Sequence, residues 1–363
     1  MRTGVMDLPL HPGKAPHWLT SRMRRLAKEI FSILIFEYGT TKTLKRLSNP
    51  LWFQSLSCAL AYDWHSSGTT TVVCAVLKSV LSPEVHGIGV VGGKGKYSRK
   101  ALEELEHLAD EMGLDSTRLK YISKMTAKVD NTCLQDSYNL YHHSMFVSEK
   151  KAWSVIQQGM NPQTRYARRY QWFETRDFVE EPHQGIVGKR EKVVMDLTSK
   201  SSRECRKTSL DLVRENPRKL KTLFKSMRRE DQKSLKEWMP DLSPKDYIFK
   251  MPERVNWKAV KNAYELQPEN FEGFLEVQGV GPATIRGLAL VSELIFGDAP
   301  SYSDPVKFSF AYGGKDGVPF EVDRRAMDES TEILKDAIQN ASLEKQEKLD
   351  AIRRLKIFTD KLL

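Results

Sequence analysis

All eight histidines of this chain, His11, His17, His65, His86, His107, His142, His143 and His183, fall in its first 183 residues. Imidazole is the commonest acid, base and metal ligand near neutral pH, so histidine-dependent chemistry is expected in that half. Asp63 and His65 flank an aromatic residue just before a capped helical pattern. They offer one oxygen and one nitrogen to a divalent cation, or an acid–base pair. Asp136, Asn139 and His143 are spaced so that a helix over 121–143 would carry a carboxylate, an amide and an imidazole on one face. Asp130, slightly under two turns earlier, would reach the same site. Asp63, His65, Asp130, Asp136 and His143 are therefore the candidate catalytic set, with Asp63, His65 and Asp136 as candidate ligands for Mg²⁺ or Mn²⁺. A solvated or core-satisfying role is the alternative for each residue alone.

Three further stretches suit phosphate. Gly92-Gly93-Lys94-Gly95-Lys96 follows a strand-like run and precedes a helix, so Lys94 and Lys96 can neutralise phosphate oxygens. The spacing is not that of a P-loop, which argues against nucleotide hydrolysis. Arg165-Tyr166-Ala167-Arg168-Arg169-Tyr170-Gln171-Trp172 interleaves cations with aromatics, a composition that grips a backbone and stacks on bases, with Arg168 and Arg169 at its centre. The alternative is an amphipathic element with buried tyrosines. Gln278-Gly279-Val280-Gly281-Pro282-Ala283-Thr284-Ile285-Arg286 reads as a tight turn between helices, with glycines supplying positive φ around a buried Val280 and Pro282 opening the second helix. Backbone N–H groups at Gly279 and Gly281, together with Thr284 and Arg286, would then receive a phosphate without reading sequence.

The elements that must position these residues follow from periodicity. Helices are expected over 17–38, ending at Gly39, over 69–81, and from a Ser98 cap to Gly113; strands are expected at 87–91, 153–157 and 191–195. From Ser202 onward nearly every segment reads as helix. The fold class is α+β: a mixed α/β domain over 1–200, then an all-helical domain over 201–363. The 363 residues are 40% hydrophobic, enough to bury a sizeable core. Net charge is +10, and it is patchy: residues 1–100 hold 14 basic and 5 acidic side chains, and residues 200–233 hold 12 and 5. The glycine turn lies instead in a net-negative region, so backbone dipoles rather than side-chain charge would carry its binding. Cys58, Cys74, Cys133 and Cys205 form no Cys-x-x-Cys pair and read as buried apolar residues. No apolar run is long enough to span a membrane and no secretory signal is visible, so no membrane partner and a cytoplasmic location are expected.

The turn from Phe274 to Leu290 resembles the helix-hairpin-helix of DNA repair and replication proteins. In the base-excision glycosylases of that group a catalytic Asp follows the second helix in a Val-Asp context, which Val322-Asp323 matches; the lysine nucleophile of the bifunctional enzymes is replaced by Ala283. The opening block Arg2-Thr3-Gly4-Val5-Met6-Asp7-Leu8-Pro9-Leu10-His11-Pro12-Gly13-Lys14-Ala15-Pro16, with Asp63-Trp64-His65 and Tyr141-His142-His143, resembles an uncharacterised prokaryotic family, prominent in archaea, with a helix-hairpin-helix near its C-terminus. The resemblance implies DNA as partner, held by its backbone with little sequence specificity. The expected activity is phosphodiester hydrolysis by a metal-dependent nuclease in repair or recombination. A glycosylase-like enzyme using Asp323 and a non-catalytic DNA-binding protein are the alternatives.

Overall fold

An antiparallel sheet divides the molecule into layers because its central strands are apolar or compactly polar at every position, with no face left for water. The structure is a computed structural model that describes residues 8–10, 15–60, 66–238, 249–306 and 324–362. The strands are β1 (Leu8–Pro9), β2 (Ile88–Lys94), β4 (Asn139–Ser148), β5 (Trp153–Asn161), β6 (Tyr166–Phe173) and β7 (Gly185–Gly188), in the order β1-β6-β5-β4-β2 with β7 also on the outer edge of β6. A separate pair joins β3 (Leu134–Gln135) to β8 (Met195–Asp196). Because side chains alternate along a strand, register fixes which row of residues shares a face. His143, Gln157 and Tyr170 form one cross-strand row. Lys94, His142, Gln158 and Arg169 form the next, on the opposite face.

The face carrying Lys94, His142 and Arg169 is covered by α1 (His17–Leu47), α2 (Pro50–Ala59) and α3 (Ser67–Val80), with α13 (Arg324–Asn340) and α14 (Lys345–Leu362) packed against α1 and α2. Phe31, Trp52, Phe53, Leu77, Phe146, Ile156, Leu334 and Leu355 belong to its core. The opposite face is covered by α6 (Ala101–Met112) and α7 (Ser116–Thr132), followed by α8 (Arg203–Arg214), α9 (Pro217–Trp238), α10 (Trp257–Leu266), α11 (Phe271–Glu276) and α12 (Pro282–Val291). Here Val91, Leu105, Ile122, Met145, Val155 and Trp172 share one continuous core with Leu212, Phe274 and Leu288. The short α4 (Pro83–His86) and α5 (Lys96–Arg99) bracket β2. Helices from beyond residue 200 thus pack onto the helices that cover each face of the sheet, and one apolar core runs across that position.

Local chemistry sets the boundaries. Asn49 and Asp115 cap α2 and α7 with their side-chain oxygens, and left-handed Gly113 closes α6. Gly39 breaks the helical path at φ +76, as expected, but the chain resumes helix and α1 continues to Leu47. The expected helix over 121–143 is three elements: α7 ends at Thr132, β3 follows, and His143 lies in β4. Between them Ser137 takes φ +70 and Asp136 Oδ1 accepts from the Tyr138 amide, a local turn that no helix accommodates. Asp136, Asn139 and His143 therefore do not share a helical stripe. Residues 191–194 are not strand either; pairing falls on 185–188 and 195–196. All four cysteines are buried thiols.

Gly92 has φ +82, and a Cβ there would lie 2.1 Å from the His143 carbonyl oxygen across the β2–β4 pair. Gly92→Ala combines an unfavourable backbone region with a backbone clash, so it is expected to destabilise the protein by more than about 2 kcal/mol in denaturant titration.

Candidate active site

A chain of buried hydrogen bonds crosses the sheet face covered by α7. Ser123 Oγ lies 2.9 Å from His143 Nε2 and His143 Nδ1 lies 2.9 Å from Gln157 Oε1. Gln157 Nε2 donates to Asp130 Oδ2 at 2.5 Å, and Asp130 Oδ1 lies 2.5 Å from His183 Nε2. The Trp172 indole, which can only donate, reaches Asp130 Oδ2 at 3.0 Å. Proton directions follow from this connectivity. Asp130 takes the Gln157 N–H, so the amide oxygen faces His143 and must accept from its Nδ1–H. The Nε2 lone pair is then left to accept from the Ser123 hydroxyl. Burial lowers the His143 pKa, opposed by its hydrogen bond to Gln157 and the charge of Asp130, so the ring is a neutral base at pH 7. This is the nucleophile–base–orienter geometry of hydroxyl activation, with a glutamine in the orienting position.

Ser123 and His143, 4% and 7% exposed, line a 660 Å³ cleft between α7, the first half of β4, the α5–α6 segment and α11. Arg99, Lys124 and Lys128 line it as well, with Glu276 as its one acidic residue and Tyr121 and Asn131 among its polar ones. Spacing along α7 explains the grouping: Ser123, Lys124, Ala127, Lys128 and Asn131 lie along its cleft side. At its other end the chain reaches His183, which lines a smaller cavity of 220 Å³ with Asp196 and Asp304.

The glycine turn joins α11 to α12 at the rim of the cleft. Gly279 has φ +88 and Val280 is buried, as its spacing predicts, whereas Gly281 is extended at φ −148. Pro282 opens α12, and Ile285 is the first amide with a helical acceptor, Gly281 O. The turn is fastened to the sheet half: Lys128 Nζ donates to the Val280 carbonyl, and Gln135 Nε2 to that of Pro282 at 2.9 Å. The Thr284 side chain is buried and does not face outward as a phosphate ligand would, while half-buried Arg286 directs Nη1 at Gln135 Oε1 at 3.3 Å.

Other expected site residues are placed differently. Arg168 and Arg169, read as groups gripping DNA, are both 0% exposed, because β6 is an interior strand covered on both faces. Arg168 donates to Asp136 Oδ2 at 3.0 Å, Asp304 Oδ2 at 2.6 Å and the Lys189 carbonyl at 2.7 Å. Burial opposes its charge, but Asp136 and Asp304 outweigh it and hold the guanidinium more firmly protonated. Asp136 is consumed by this pair and by the Tyr170 hydroxyl at 2.6 Å, so it is not an open metal ligand. Asp130 lies behind His143 in the hydrogen-bonded chain, not at the cleft. The Gly92 amide donates to Glu104 and that of Gly95 to the Tyr141 carbonyl, so both are spent within the protein; Lys94 and Lys96 are exposed. Asp63, His65 and Asp323 lie outside the described residues. Among the described residues no three His, Cys, Asp or Glu side chains converge to hold a metal ion.

Ser123, Gln157, Lys128 and His183 were not singled out from sequence. The signal for Gln157 and Gln158 was available: paired glutamines inside a β-branched strand must find partners or ligands in the interior.

Burial pushes the His142 pKa down to about 3, with the charges of His143 and Lys94 adding to the effect. The unfolded chain protonates these imidazoles near their ordinary 6.5 while the folded one does not. They therefore contribute stability that is full above that value and lost as pH falls through it. His142→Gln should reduce the loss between pH 6 and 4 by about 1.4 kcal/mol per pH unit, read from urea midpoints.

One family model, described as a protein of unknown function (DUF763), matches residues 4–322. No curated protein matches the chain, and no solved structure does. With most of its length matched, the chain belongs to the DUF763 family.

Proposed function

We propose that this protein binds a nucleic-acid backbone, with DNA as the expected polymer, in the cleft lined by α7, β4 and α11 and hydrolyses a phosphodiester there. One observation carries the reading: a serine hydroxyl held on a neutral, oriented imidazole opens into a cleft lined by Arg99, Lys124 and Lys128. In the proposed reaction Ser123 Oγ attacks phosphorus as its proton passes to His143 Nε2. The P–O bond to the departing nucleotide breaks, and that oxygen takes the proton from Nε2. Water, deprotonated by the same nitrogen, then cleaves the phosphoserine bond and restores the hydroxyl. The cationic side chains offset charge on the non-bridging oxygens. Gln157 and Asp130 hold the tautomer and stabilise the imidazolium while it exists. Asp63 and His65, outside the described residues, remain the sequence candidates for holding Mg²⁺ or Mn²⁺.

Labelled single-stranded, duplex and flapped DNA, incubated with purified protein with and without Mg²⁺ or Mn²⁺, tests the reading. Ser123→Ala and His143→Gln are each expected to lower kcat by about 10²-fold or more. Lys124→Ala should act mainly on KM. If wild-type protein cleaves none of these substrates under any metal condition, the hydrolytic reading fails.

A backbone-binding role without chemistry is favoured by one feature, the open turn. A Cβ at Gly281 meets nothing within 4 Å and its φ suits any residue, so Gly281→Asp is compatible with the fold. The new carboxylate would face the incoming phosphate, and DNA affinity at moderate salt is expected to fall at least tenfold, about 1.4 kcal/mol.

A further inference from the structure

On the sheet face away from the His143 cleft, a second arginine is buried without the compensation that Arg168 receives. The Arg169 guanidinium stands 4.5 Å over the Phe53 ring, and its Nε donates to Gln171 Oε1 at 3.0 Å. Gln171 is itself fixed by donating to the Leu47 carbonyl. Stacking and the Nε bond leave Nη1 and Nη2 as the open edge of the fork, and neither has a hydrogen-bond partner among the described residues or contact with solvent. Among the described residues no carboxylate acts on Arg169; the titratable group whose field reaches it is Cys74, whose thiol is pushed up to about 12 by burial. Burial lowers Arg169 itself to about 10, which still leaves it protonated at neutral pH. A buried cation in this position needs an anion.

The neighbours are suited to one. Across the strands from Arg169, His142 Nδ1 lacks a partner among the described residues, and on the packed helix α3 so does Thr70 Oγ1, one turn before Cys74; both can donate, while Gln158 Oε1, also open, only accepts and can meet only a protonated oxygen of such a group. The Gln158 amide nitrogen donates to the Ser67 carbonyl in the first turn of the 14-residue α3, which brings that helix terminus beside the same row. The row ends at exposed Lys94 on the edge strand β2, so a line of polar groups leads from solvent toward Arg169.

We infer that Arg169 anchors a buried oxyanion site, in which a phosphate or carboxylate group is held by the two Nη edges with Thr70 and His142 as further donors. This site is separate from the proposed hydrolytic cleft and does not depend on that reading. The fork geometry suits a two-oxygen edge, which a lysine ammonium cannot match.

Thermal unfolding of the full chain at constant ionic strength tests it, with chloride replaced stepwise by inorganic phosphate in one arm and by acetate in the other. A saturable rise of several degrees in Tm is expected in at least one arm, and the arm that responds identifies the group. The rise should persist in Lys124→Ala/Lys128→Ala, which separates it from anion binding in the cleft, and vanish in Arg169→Met. Should Arg169→Met fail to fold, Arg169→Lys keeps the charge but not the fork, and its midpoint anion concentration should rise at least tenfold. Native mass spectrometry of the protein as purified covers a ligand already bound: a small anionic adduct lost in the Arg169 variants supports the site. The proposal is overturned if the anion response is the same in wild type and both Arg169 variants, or if wild type shows neither a saturable rise nor an adduct.

Discussion

Asp130 is the group on which the site's geometry depends. It sits on the inner side of α7 and receives Gln157, Trp172 and His183 through its two oxygens. Each connection fixes a different element: Gln157 belongs to β5, Trp172 to β6, and His183 to the segment before β7. One carboxylate thereby ties a helix to the sheet and dictates the orientation of an amide, which dictates the tautomer of His143. Removing it would leave the Gln157 amide free to turn over, and the imidazole would lose the constraint that aims its lone pair at Ser123. A buried network of this kind is effective only when every member is satisfied, because an unmatched group in the interior costs about 1–3 kcal/mol.

The cleft owes its charge to α7 and its outer wall to helices distant in sequence. Lys128 serves both, since it lines the cleft while its ammonium holds the Val280 carbonyl. Burial lowers the Lys128 pKa, so its contact with that carbonyl is made by a partly desolvated ammonium. With Gln135 holding Pro282, the carbonyl side of the turn faces the sheet half and the open side at Gly281 faces away. The turn's placement is thus determined by polar contacts to α7 and β3, and by the apolar core that α11 and α12 share with β4–β6.

Much of this arrangement was legible in the sequence. The amphipathic spacing of residues 101–112, the closing Gly113 of α6 and the Gly-Val-Gly-Pro turn predict their elements because the determinants are local, whereas Ser98, read as the cap of that helix, lies within α5 and donates to the Gly95 carbonyl. Strand β4 was missed for the opposite reason. Leu140-Tyr141-His142-His143-Ser144 is polar enough to pass for a helix surface, and only pairing with β2 and β5 makes it a strand. The same limit applies to Arg168. Its partners lie 32 and 136 residues away, and before folding its side chain is indistinguishable from one that waits for phosphate. His143 was recognised as a candidate from its residue type, but its true neighbours, Ser123 and Gln157, are brought to it by sheet register rather than by helical spacing.

Arg168 and Arg169 show how strand alternation divides one sequence signal into two physical situations. Adjacent on β6, they point to opposite faces and both leave water entirely. Desolvating a guanidinium costs roughly several kcal/mol, which paired carboxylates can offset only with good geometry. Arg168 has that geometry, with Asp136 and Asp304 both within hydrogen-bonding distance, so its charge is matched and it binds β6 to the turn after β3 and to the segment that follows α12. Arg169 has an aromatic ring and an amide oxygen, which orient a guanidinium without neutralising it. A surface reading of the Arg-Arg pair would have treated them alike. Their environments instead separate a structural ion pair from a cation with no carboxylate partner among the described residues, and that asymmetry is what the proposed anion site on the α1–α3 face rests on.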